Sequence, residues 1–359
     1  MSTRNQAREK WVSRVEQVDV VAVVGSCASE RAVFSMQLAA ATHRMLVPAA
    51  RLAVSPDPVD EALSIAPWVN APAGALMEFP TSASMTDLIG SLADESAPTA
   101  LVGVVCVVDA SHLIEDLWRD TYLSRIVGVE AGVAMTDDVA EALVTATQIE
   151  FASHLVLVNW STLQTHELST VMAVLSHLAP RARLRLQRRI MEPWTDRVAF
   201  TRGQDSPGWI GVINGHFDPH MTDPRVSAFR YENVRPLHPG RLEVLLNERI
   251  EPGEFGRVLR SSGFCRFATR PYRAARWEHV GRMISFPPMP DQDAADPEDE
   301  TLAFGQELAI IGLDLDRDRL VEALDSVALT DDELVAGPQV WSSFRDPFPA
   351  WPAIADRAE

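Results

Sequence analysis

Short apolar runs alternate with stretches of helical periodicity along the first half of the chain. The runs are rich in valine and short, which is typical of strands that are buried on both faces of a sheet. We predict strands at residues 18–24, 101–108 and 155–158, and helices at residues 30–43, 137–153 and 165–178. Because this order forms parallel sheets with crossover helices, the pattern predicts an α/β domain with a mostly parallel sheet and flanking helices.

The alternation ends at a segment with the composition of a linker. Residues 203–226 are rich in Gly, Pro, Asp and His, which favour turns. Beyond them we predict strands at residues 229–236, 264–269 and 307–313 and helices at residues 238–247 and 317–327. The predicted segments are a first domain (15–202), a linker (203–226), a smaller α+β domain (227–335) and an aromatic, proline-rich tail (336–359). The acidic, proline-rich stretch 286–300 predicts a mobile loop.

Composition indicates a soluble, cytoplasmic protein. The chain of 359 residues is 47% hydrophobic and 23% charged, it lacks an apolar run long enough to span a membrane, and its polar N-terminus does not resemble a secretory signal. Its three cysteines are far apart in sequence, which fits reduced thiols. The net charge of -18 disfavours direct nucleic-acid binding as the main function, because such binding depends on neutralising phosphates.

The turn after the first strand is aligned with a phosphate-binding loop but lacks its chemistry. In the pattern Gly-x-x-x-x-Gly-Lys-[Ser/Thr], backbone N–H groups cradle phosphates, lysine neutralises them and a hydroxyl binds magnesium. With Gly25 as its first residue, the pattern puts Glu30, Arg31 and Ala32 at the last three positions, and Lys10 is the only lysine of the chain. Two interpretations remain open: a strand-turn-helix corner without a ligand, or a weak anion or nucleotide site at a helix N-terminus.

Two further segments of the first domain resemble the CobW-like P-loop GTPases associated with metal homeostasis. Residues 104–113 (VVCVVDASHL) and 148–163 (QIEFASHLVLVNWSTL) look like that family's segments, the second of which ends in the guanine-recognition motif Asn-Lys-x-Asp. Only Asn159 is retained there, and Trp160 and Thr162 replace the lysine and the aspartate. The resemblance also implies a zinc-binding Cys-x-Cys-Cys motif, but its positions hold Phe79, Thr81 and Ser82, so thiolate zinc binding there is excluded.

The second domain carries several segments that resemble the CobW C-terminal domain in their usual order. They are residues 235–242, 259–264, 268–271, 305–308 and 329–333. The tail at residues 329–351 resembles a subset of the family, the actinobacterial paralogs that include the ribosome hibernation factor-recruiting protein. The resemblance therefore implies a P-loop NTPase-like first domain, a CobW C-terminal-like second domain and a function in zinc homeostasis.

Other residues offer candidate sites without a decisive pattern. His216, Asp218 and His220 supply imidazole and carboxylate ligands for a metal such as zinc, although a polar turn with an Asp cap is the simpler interpretation. Around Cys27 no Cys-His pair is evident from the sequence, and Cys106 is expected to be a buried thiol. We also select His238, which either caps a helix or lines a groove, as a candidate interaction residue.

The aromatic residues of the tail are the remaining candidates for an interaction site. Their spacing is interrupted by prolines and fits neither a heptad nor an amphipathic helix, so they either fold back onto the protein as a clasp or form an exposed patch for a partner. These residues are Trp341, Phe344, Phe348 and Trp351.

These features predict a pseudo-GTPase that acts by binding, as an adaptor or recruitment factor in the response to zinc limitation. Its expected partners are proteins, such as a hibernation factor or ribosome-associated proteins, with no membrane partner. The alternative is an active nucleotide-dependent chaperone for zinc or cobalt with an atypical P-loop, in which Arg31 binds phosphate. Weak nucleotide or zinc binding is the only cofactor chemistry that the sequence indicates.

Overall fold

The structure, a computed structural model, describes residues 17–130, 133–188, 200, 207–289 and 305–351. Lys10 and most of the predicted mobile loop, from residue 290 onwards, lie outside the described residues. The first part of the chain contains β1 (Val18–Val24), α1 (Ala28–Thr42), β2 (Met45–Val47), α2 (Ala49–Leu52), α3 (Pro58–Ile65), β3 (Ala75–Glu78), α4 (Met85–Leu92), β4 (Thr99–Asp109), α5 (Leu113–Asp116), β5 (Tyr122–Glu130), β6 (Val133–Ala140), α6 (Glu141–Glu150), β7 (His154–Val158), α7 (Thr165–Leu178), β8 (Arg183–Leu186) and α8 (Gly208–Ile213).

A six-stranded parallel sheet organises this part of the chain. Its strand order is β2-β3-β1-β4-β7-β8, and every pairing is parallel. The central strands are buried along most of their length because helices cover both faces, which explains their continuous apolar sequence. The predicted α/β fold, a mostly parallel sheet with flanking helices, is confirmed.

The second part of the chain forms an antiparallel sheet with helices beside it. Its elements are β9 (Val226–Asn233), α9 (Pro239–Leu245), β10 (Arg257–Cys265), β11 (Ala275–Val280), β12 (Met283–Ser285), β13 (Gln306–Leu313), α10 (Arg317–Val327), α11 (Asp331–Ala336) and α12 (Pro338–Trp341). The strand order is β12-β11-β10-β13-β9. Leu242 and Leu245 of α9 and Leu324 of α10 share one core with residues of this sheet, so the predicted smaller α+β unit is confirmed.

Two predicted elements differ from the structure. The predicted helix at residues 137–153 begins only at Glu141, because the preceding residues form β6. Ser124 and Arg125 on β5 lie opposite Asp138 and Asp137 in this antiparallel hairpin, and such cross-strand polar pairs favour the extended form. The predicted strand at residues 264–269 instead runs over Arg257–Cys265, since its polar residues are buried in the centre of the sheet.

The two sheets are joined by a shared apolar core and a buried ion pair. Leu259, Val280 and Ile311 of the second sheet belong to the core cluster of the parallel sheet. The guanidinium Nε of Arg260 lies 2.7 Å from Oε1 of Glu150 on α6. Helix α8, which lies within the predicted linker, also contacts β13. None of the described helices has the length and apolar character needed to cross a membrane.

Candidate functional site

The candidate site lies at the carboxyl edge of the parallel sheet, where the neighbouring strands β1 and β4 end. The turn after β1 begins at Gly25, whose φ of 148° is unfavourable for other residues. A Cβ atom at this position would lie 2.4 Å from the carbonyl oxygen of Val107, so the close approach of the turn to β4 requires glycine. The turn is thereby held against the loop that follows Asp109.

The turn is too short to form a phosphate cradle. Helix α1 begins at Ala28, so only Gly25, Ser26 and Cys27 separate it from β1. The backbone N–H of Arg31 already donates to the carbonyl oxygen of Cys27, at 3.0 Å. Because the residues that would wrap around a phosphate are helical, their N–H groups do not converge on one point as they do in a phosphate-binding loop.

The side chain of Arg31 is buried, with 3% of its surface exposed, and is used within the protein. Its Nε donates to Oε1 of Glu78 at 3.1 Å, and its Nη1 donates to Oγ1 of Thr81 at 3.0 Å and to the carbonyl oxygen of Gly25. Glu78 closes β3, the strand next to β1, and its charge neutralises the guanidinium. Arg31 therefore cannot serve as the phosphate-binding cation without losing these partners.

The remaining nucleotide-site positions are also committed to other contacts. The Nδ2 of Asn159 donates to Oδ2 of Asp109 at 2.5 Å. The indole Nε1 of Trp160 donates to the carbonyl oxygen of Gln187, and Thr162 donates to the carbonyl oxygen of Asn159. Glu30 is half-buried on α1 and accepts from Ser29. The described residues do not fit a magnesium-bound guanine nucleotide.

The positions of the family's thiolate motif do not fit zinc either. Phe79 is fully buried in the core, and Thr81 accepts a hydrogen bond from Arg31. Ser82 offers a hydroxyl, which is a poor ligand for zinc compared with a thiolate. Zinc chemistry in this chain therefore needs other residues.

The fold brings together Cys27, His112 and Asp116, which are distant in the sequence. The Sγ of Cys27 lies 3.7 Å from Nε2 of His112, and Nδ1 of His112 lies 2.8 Å from Oδ2 of Asp116. Each of these three residues offers one possible metal-ligand atom, and the three atoms lie within 4.8 Å of one another, which is found for this group among the described residues. The expectation that Cys27 has no histidine partner is wrong, because β1 and β4 are neighbours in the sheet and sequence distance conceals this.

The cluster lies in a strongly negative environment. Burial raises the pKa of the Cys27 thiol to about 11, and the carboxylates of Asp116, Asp109 and Glu30 act in the same direction. Although burial opposes it, hydrogen bonds from Ser111 and Asn159 lower the pKa of Asp109, which is therefore charged at neutral pH. A thiol with this pKa is a poor nucleophile, so the arrangement does not favour Cys-His catalysis, and the negative charges favour a cation over a phosphate.

The other predicted metal residues are not brought together in this way. His216, Asp218 and His220 follow α8 and are exposed. In the described part of the chain, they do not form a cluster with donor atoms within 4.8 Å.

His238 and the aromatic tail contact the second sheet and its helices. His238 is the N-cap of α9, where its Nδ1 accepts from the N–H of Arg241 at 3.3 Å, and its ring stacks on Phe344 with 4.6 Å between centroids. Burial and the charge of Arg241 lower the pKa of His238, which fits a neutral ring that accepts this bond.

The tail folds back as a clasp over its described residues. Trp341 is buried beside Ala268 and Leu329. Phe348 stacks on Phe267 with 5.3 Å between centroids, and Nε1 of Trp351 donates to the carbonyl oxygen of Phe286 at 2.8 Å. Of the two arrangements left open for the tail, the structure shows the clasp.

Comparison with known proteins gives three kinds of match. Residues 226–328 match the cobalamin synthesis protein cobW C-terminal domain. The zinc-regulated GTPase metalloprotein activator 1 of Dictyostelium discoideum is 26% identical over 288 residues, which cover 73% of this chain and 59% of that protein. A Mycobacterium tuberculosis protein named as a zinc chaperone is 28% identical over 238 residues, which cover 58% of this chain and 54% of that protein.

This chain therefore spans a little over half the length of these curated relatives. Among solved structures, the Zn(II)-bound YjiA GTPase from E. coli is similar over 87% of this chain and 99% of that chain, with 12% identity and a TM-score of 0.34.

Proposed function

We infer that this chain is a CobW-like protein of zinc homeostasis that acts by binding a protein partner and does not hydrolyse a nucleoside triphosphate. The predicted resemblance of the second domain to the CobW C-terminal domain is confirmed by the match over residues 226–328, and the relatives named for zinc support a function in zinc homeostasis. The absence of hydrolysis is our own proposal, since one of the two relatives is named as a zinc-regulated GTPase metalloprotein activator and the other as a zinc chaperone.

The observation that supports this proposal is the buried contact of Arg31 with Glu78. A cation that binds phosphate must face the ligand, whereas this guanidinium is turned into the protein and neutralised by a carboxylate. The helical start of α1 and the replacement of the magnesium-binding hydroxyl by Ala32 remove the other two parts of the site. Rebuilding the site would require changes in the backbone as well as in side chains.

Isothermal titration calorimetry tests the proposal directly. We expect GTP with Mg²⁺ to give no saturable heat with the full chain, and we expect no GTP hydrolysis above the rate of buffer. A CobW-family GTPase that hydrolyses GTP serves as the positive control. Saturable binding with turnover, both abolished by Arg31→Ala in a folded variant, would refute the proposal.

The partner is proposed to be a protein of the zinc-limitation response, such as a ribosome hibernation factor, which the resemblance of the tail to the recruiting paralogs supports. The net charge of -18 favours contact with proteins over direct contact with ribosomal RNA. Affinity purification from zinc-limited and zinc-replete cells tests this. Recovery of a hibernation factor or ribosomes only under limitation is expected, and the same ribosome-free profile in both conditions would contradict it.

The second candidate is a nucleotide-dependent zinc chaperone, which the names of the relatives favour. It requires that Arg31 leaves Glu78 when a nucleotide binds. GTP-dependent transfer of zinc to an acceptor protein would establish it, and the calorimetric experiment separates it from the first candidate.

A further inference from the structure

We propose that the groove beneath the tail is a docking site for an extended segment of the partner protein that carries a carboxylate followed by aromatic residues. In the free chain, residues 346–351 of the tail occupy this groove and are displaced when the partner binds. This proposal rests on the proposed binding of a protein partner, for which it names the surface and the chemistry. The groove is formed by residues that follow β10 and β12, which are Phe267, Thr269, Arg270 and Phe286.

The tail is bound in the groove as a short peptide would be. Residues 342–351 contain no helix or strand. In the sequence DPFPAW of residues 346–351, proline stands at two positions, which favours an extended backbone without internal hydrogen bonds. Proline-containing segments of this kind are commonly recognised in grooves lined by aromatic rings. The tail therefore shows which kind of segment the groove accepts.

One arginine of the groove contacts three positions of the tail. The Nε of Arg270 donates to Oδ2 of Asp346 at 2.9 Å, and its Nη2 donates to the carbonyl oxygen of Phe348 at 2.9 Å. The same guanidinium lies 4.4 Å from the ring centroid of Trp351. Thr269 donates a second hydrogen bond to Oδ2 of Asp346, at 2.6 Å. The groove thus recognises a carboxylate, a backbone carbonyl two residues later and an aromatic ring three residues after that.

The apolar part of the groove needs an occupant. The ring centroid of Phe348 lies 5.3 Å from that of Phe267 and 4.7 Å from that of Phe286. With the tail in place, Phe267 is 0% exposed and Phe286 is 8% exposed. Departure of the tail alone would expose this aromatic surface to water, which is unfavourable. Exchange of the tail for another aromatic segment avoids that exposure.

The tail is held less firmly than the core of the second sheet. Ser342, Ser343 and Arg345, which lead from α12 into the groove, are exposed. Phe348 and Trp351 are only partly buried. Segments with few buried contacts are the ones that open locally while the rest of a protein stays folded.

The tail also leaves one donor of the groove unused. The Nη1 of Arg270 is buried and has no hydrogen-bond partner among the described residues. An unpaired buried donor is unfavourable, and hydrogen bonds from a guanidinium to a carboxylate are strong. A partner segment that supplies an acceptor for this group gains a contact that the tail lacks, which favours the exchange.

A fluorescent peptide with the sequence of residues 346–351 tests the groove by fluorescence anisotropy. We expect saturable binding to Phe348→Ala/Trp351→Ala, whose tail is weakened while the groove is unchanged. Binding to the unchanged chain is expected to be weaker by about tenfold or more, because its own tail competes. Adding Arg270→Ala to the double variant is expected to lower the affinity by about tenfold or more. Adding Arg317→Ala is the matched control, since this guanidinium also lies over a ring, 5.3 Å from the centroid of Phe229 on β9, and should leave the affinity unchanged.

Limited proteolysis of the unchanged chain tests displacement without a substitution. Arg345 is 73% exposed at its side chain and immediately precedes the bound residues. The unlabelled peptide has no tryptic site, and it is used at several times the effective concentration of a tethered segment, which is on the order of millimolar. We expect it to speed tryptic cleavage after Arg345, while a peptide of scrambled sequence has no effect. Cleavage after Arg51 on α2 is the internal reference.

Three results would overturn the proposal. They are the lack of saturable peptide binding to the double variant, equal affinity after Arg270→Ala, and unchanged cleavage after Arg345 in excess peptide. A dimer of the unchanged chain in analytical ultracentrifugation that the peptide dissociates would also overturn it, because the groove would then hold the tail of a second copy. None of these results alters the calorimetric test for GTP, and turnover of GTP would leave the peptide experiments unaffected.

Discussion

At the scale of single residues, the buried pair of Arg31 and Glu78 shows that the residue aligned with a phosphate-binding lysine is used within the core. Both side chains are at most 5% exposed, so each charge depends on the other for compensation. Removing one partner of such a pair leaves an uncompensated buried charge, which typically costs about 3–5 kcal/mol. Replacing both partners with apolar residues of similar size is often close to neutral.

We therefore predict that Arg31→Ala lowers the free energy of unfolding by about 3–5 kcal/mol, and that Arg31→Met combined with Glu78→Leu recovers most of the loss. Urea denaturation of the three proteins measures this. Arg51→Ala is the control, because the Arg51–Glu61 pair is half-exposed at the arginine and should contribute about 0–1 kcal/mol. A loss below about 1 kcal/mol for Arg31→Ala would contradict the assigned role.

Also at the scale of single residues, His279 is expected to make the stability of the protein depend on pH. Burial and the neighbouring Arg260 lower the pKa of His279 from 6.5 to about 4 in the folded protein, and its Nδ1 lies 3.0 Å from Oγ of Ser261. Between pH 4 and pH 6.5, His279 therefore binds a proton in the unfolded chain but not in the folded protein. The contribution of His279 to stability is therefore present above pH 6.5 and is lost as the pH falls towards 4.

We predict that the stability difference between the unchanged protein and His279→Gln shrinks by a few kcal/mol as the pH falls from about 6.5 to about 4. Urea denaturation at several pH values measures it. Taking the difference between the two proteins removes the contribution of Glu150, whose carboxylate also lies near Arg260. A difference for His279→Gln that stays constant over this pH range would disprove the assignment.

The sequence identified several site residues but not their partners. Aligning the turn with a P-loop selected Arg31 as a candidate, and the structure shows the turn that holds Cys27 at the carboxyl end of β1. Glu78 and His112 could not be linked to them, because β3 and β4 flank β1 only through the strand order of the folded sheet. Arg31 and Glu78 are 47 positions apart and Cys27 and His112 are 85 positions apart, so no local sequence pattern indicates that they are in contact.

At the scale of elements, strong hydrophobic periodicity predicted the bounds of helices and strands well. Strands that are short or rich in polar residues were not predicted. The helices at residues 165–178 and 317–327 and the strand at residues 18–24 have the predicted bounds. The hairpin of β5 and β6 and the short strands β2 and β3 were missed. The start of β10 was missed because Arg260, Ser261 and Ser262 are polar yet buried, so their pattern does not alternate with solvent.

The tail is an element whose contribution can be measured. Phe348 and Trp351 pack against the core of the second sheet, and Arg270 binds Asp346 at 2.9 Å. Because both aromatic rings are only partly buried, we predict that Phe348→Ala or Trp351→Ala lowers the free energy of unfolding by about 1–2 kcal/mol each. Tyr272→Ala is the matched control, since this ring is 89% exposed and should change stability by less than about 0.5 kcal/mol. Equal effects at the three positions would exclude a clasp in solution.

At the scale of the whole molecule, the two sheets are expected to unfold together. They share apolar residues in one core, and the guanidinium of Arg260 lies between Glu150 of the first sheet's helices, at 2.7 Å, and Glu278 of the second sheet, at 2.8 Å. All three side chains are at most 3% exposed. Opening the interface would therefore expose apolar surface and leave the buried carboxylate of Glu150 without its cation.

We predict a single cooperative transition for the unchanged chain, with amide exchange in β4 and β10 following the same denaturant dependence. Arg260→Ala should lower the free energy of unfolding by about 3–5 kcal/mol and give separate transitions for the two sheets, because the buried carboxylate of Glu150 loses its ion-pair partner across the junction. Arg282→Ala is the matched control: Arg282 also reaches across the junction, 3.5 Å from Asp120, but both side chains are exposed. Hydrogen exchange with mass spectrometry distinguishes the outcomes. If β4 and β10 already exchange independently in the unchanged chain, the junction does not couple the sheets, and a role for this protein would have to be assigned to each part separately.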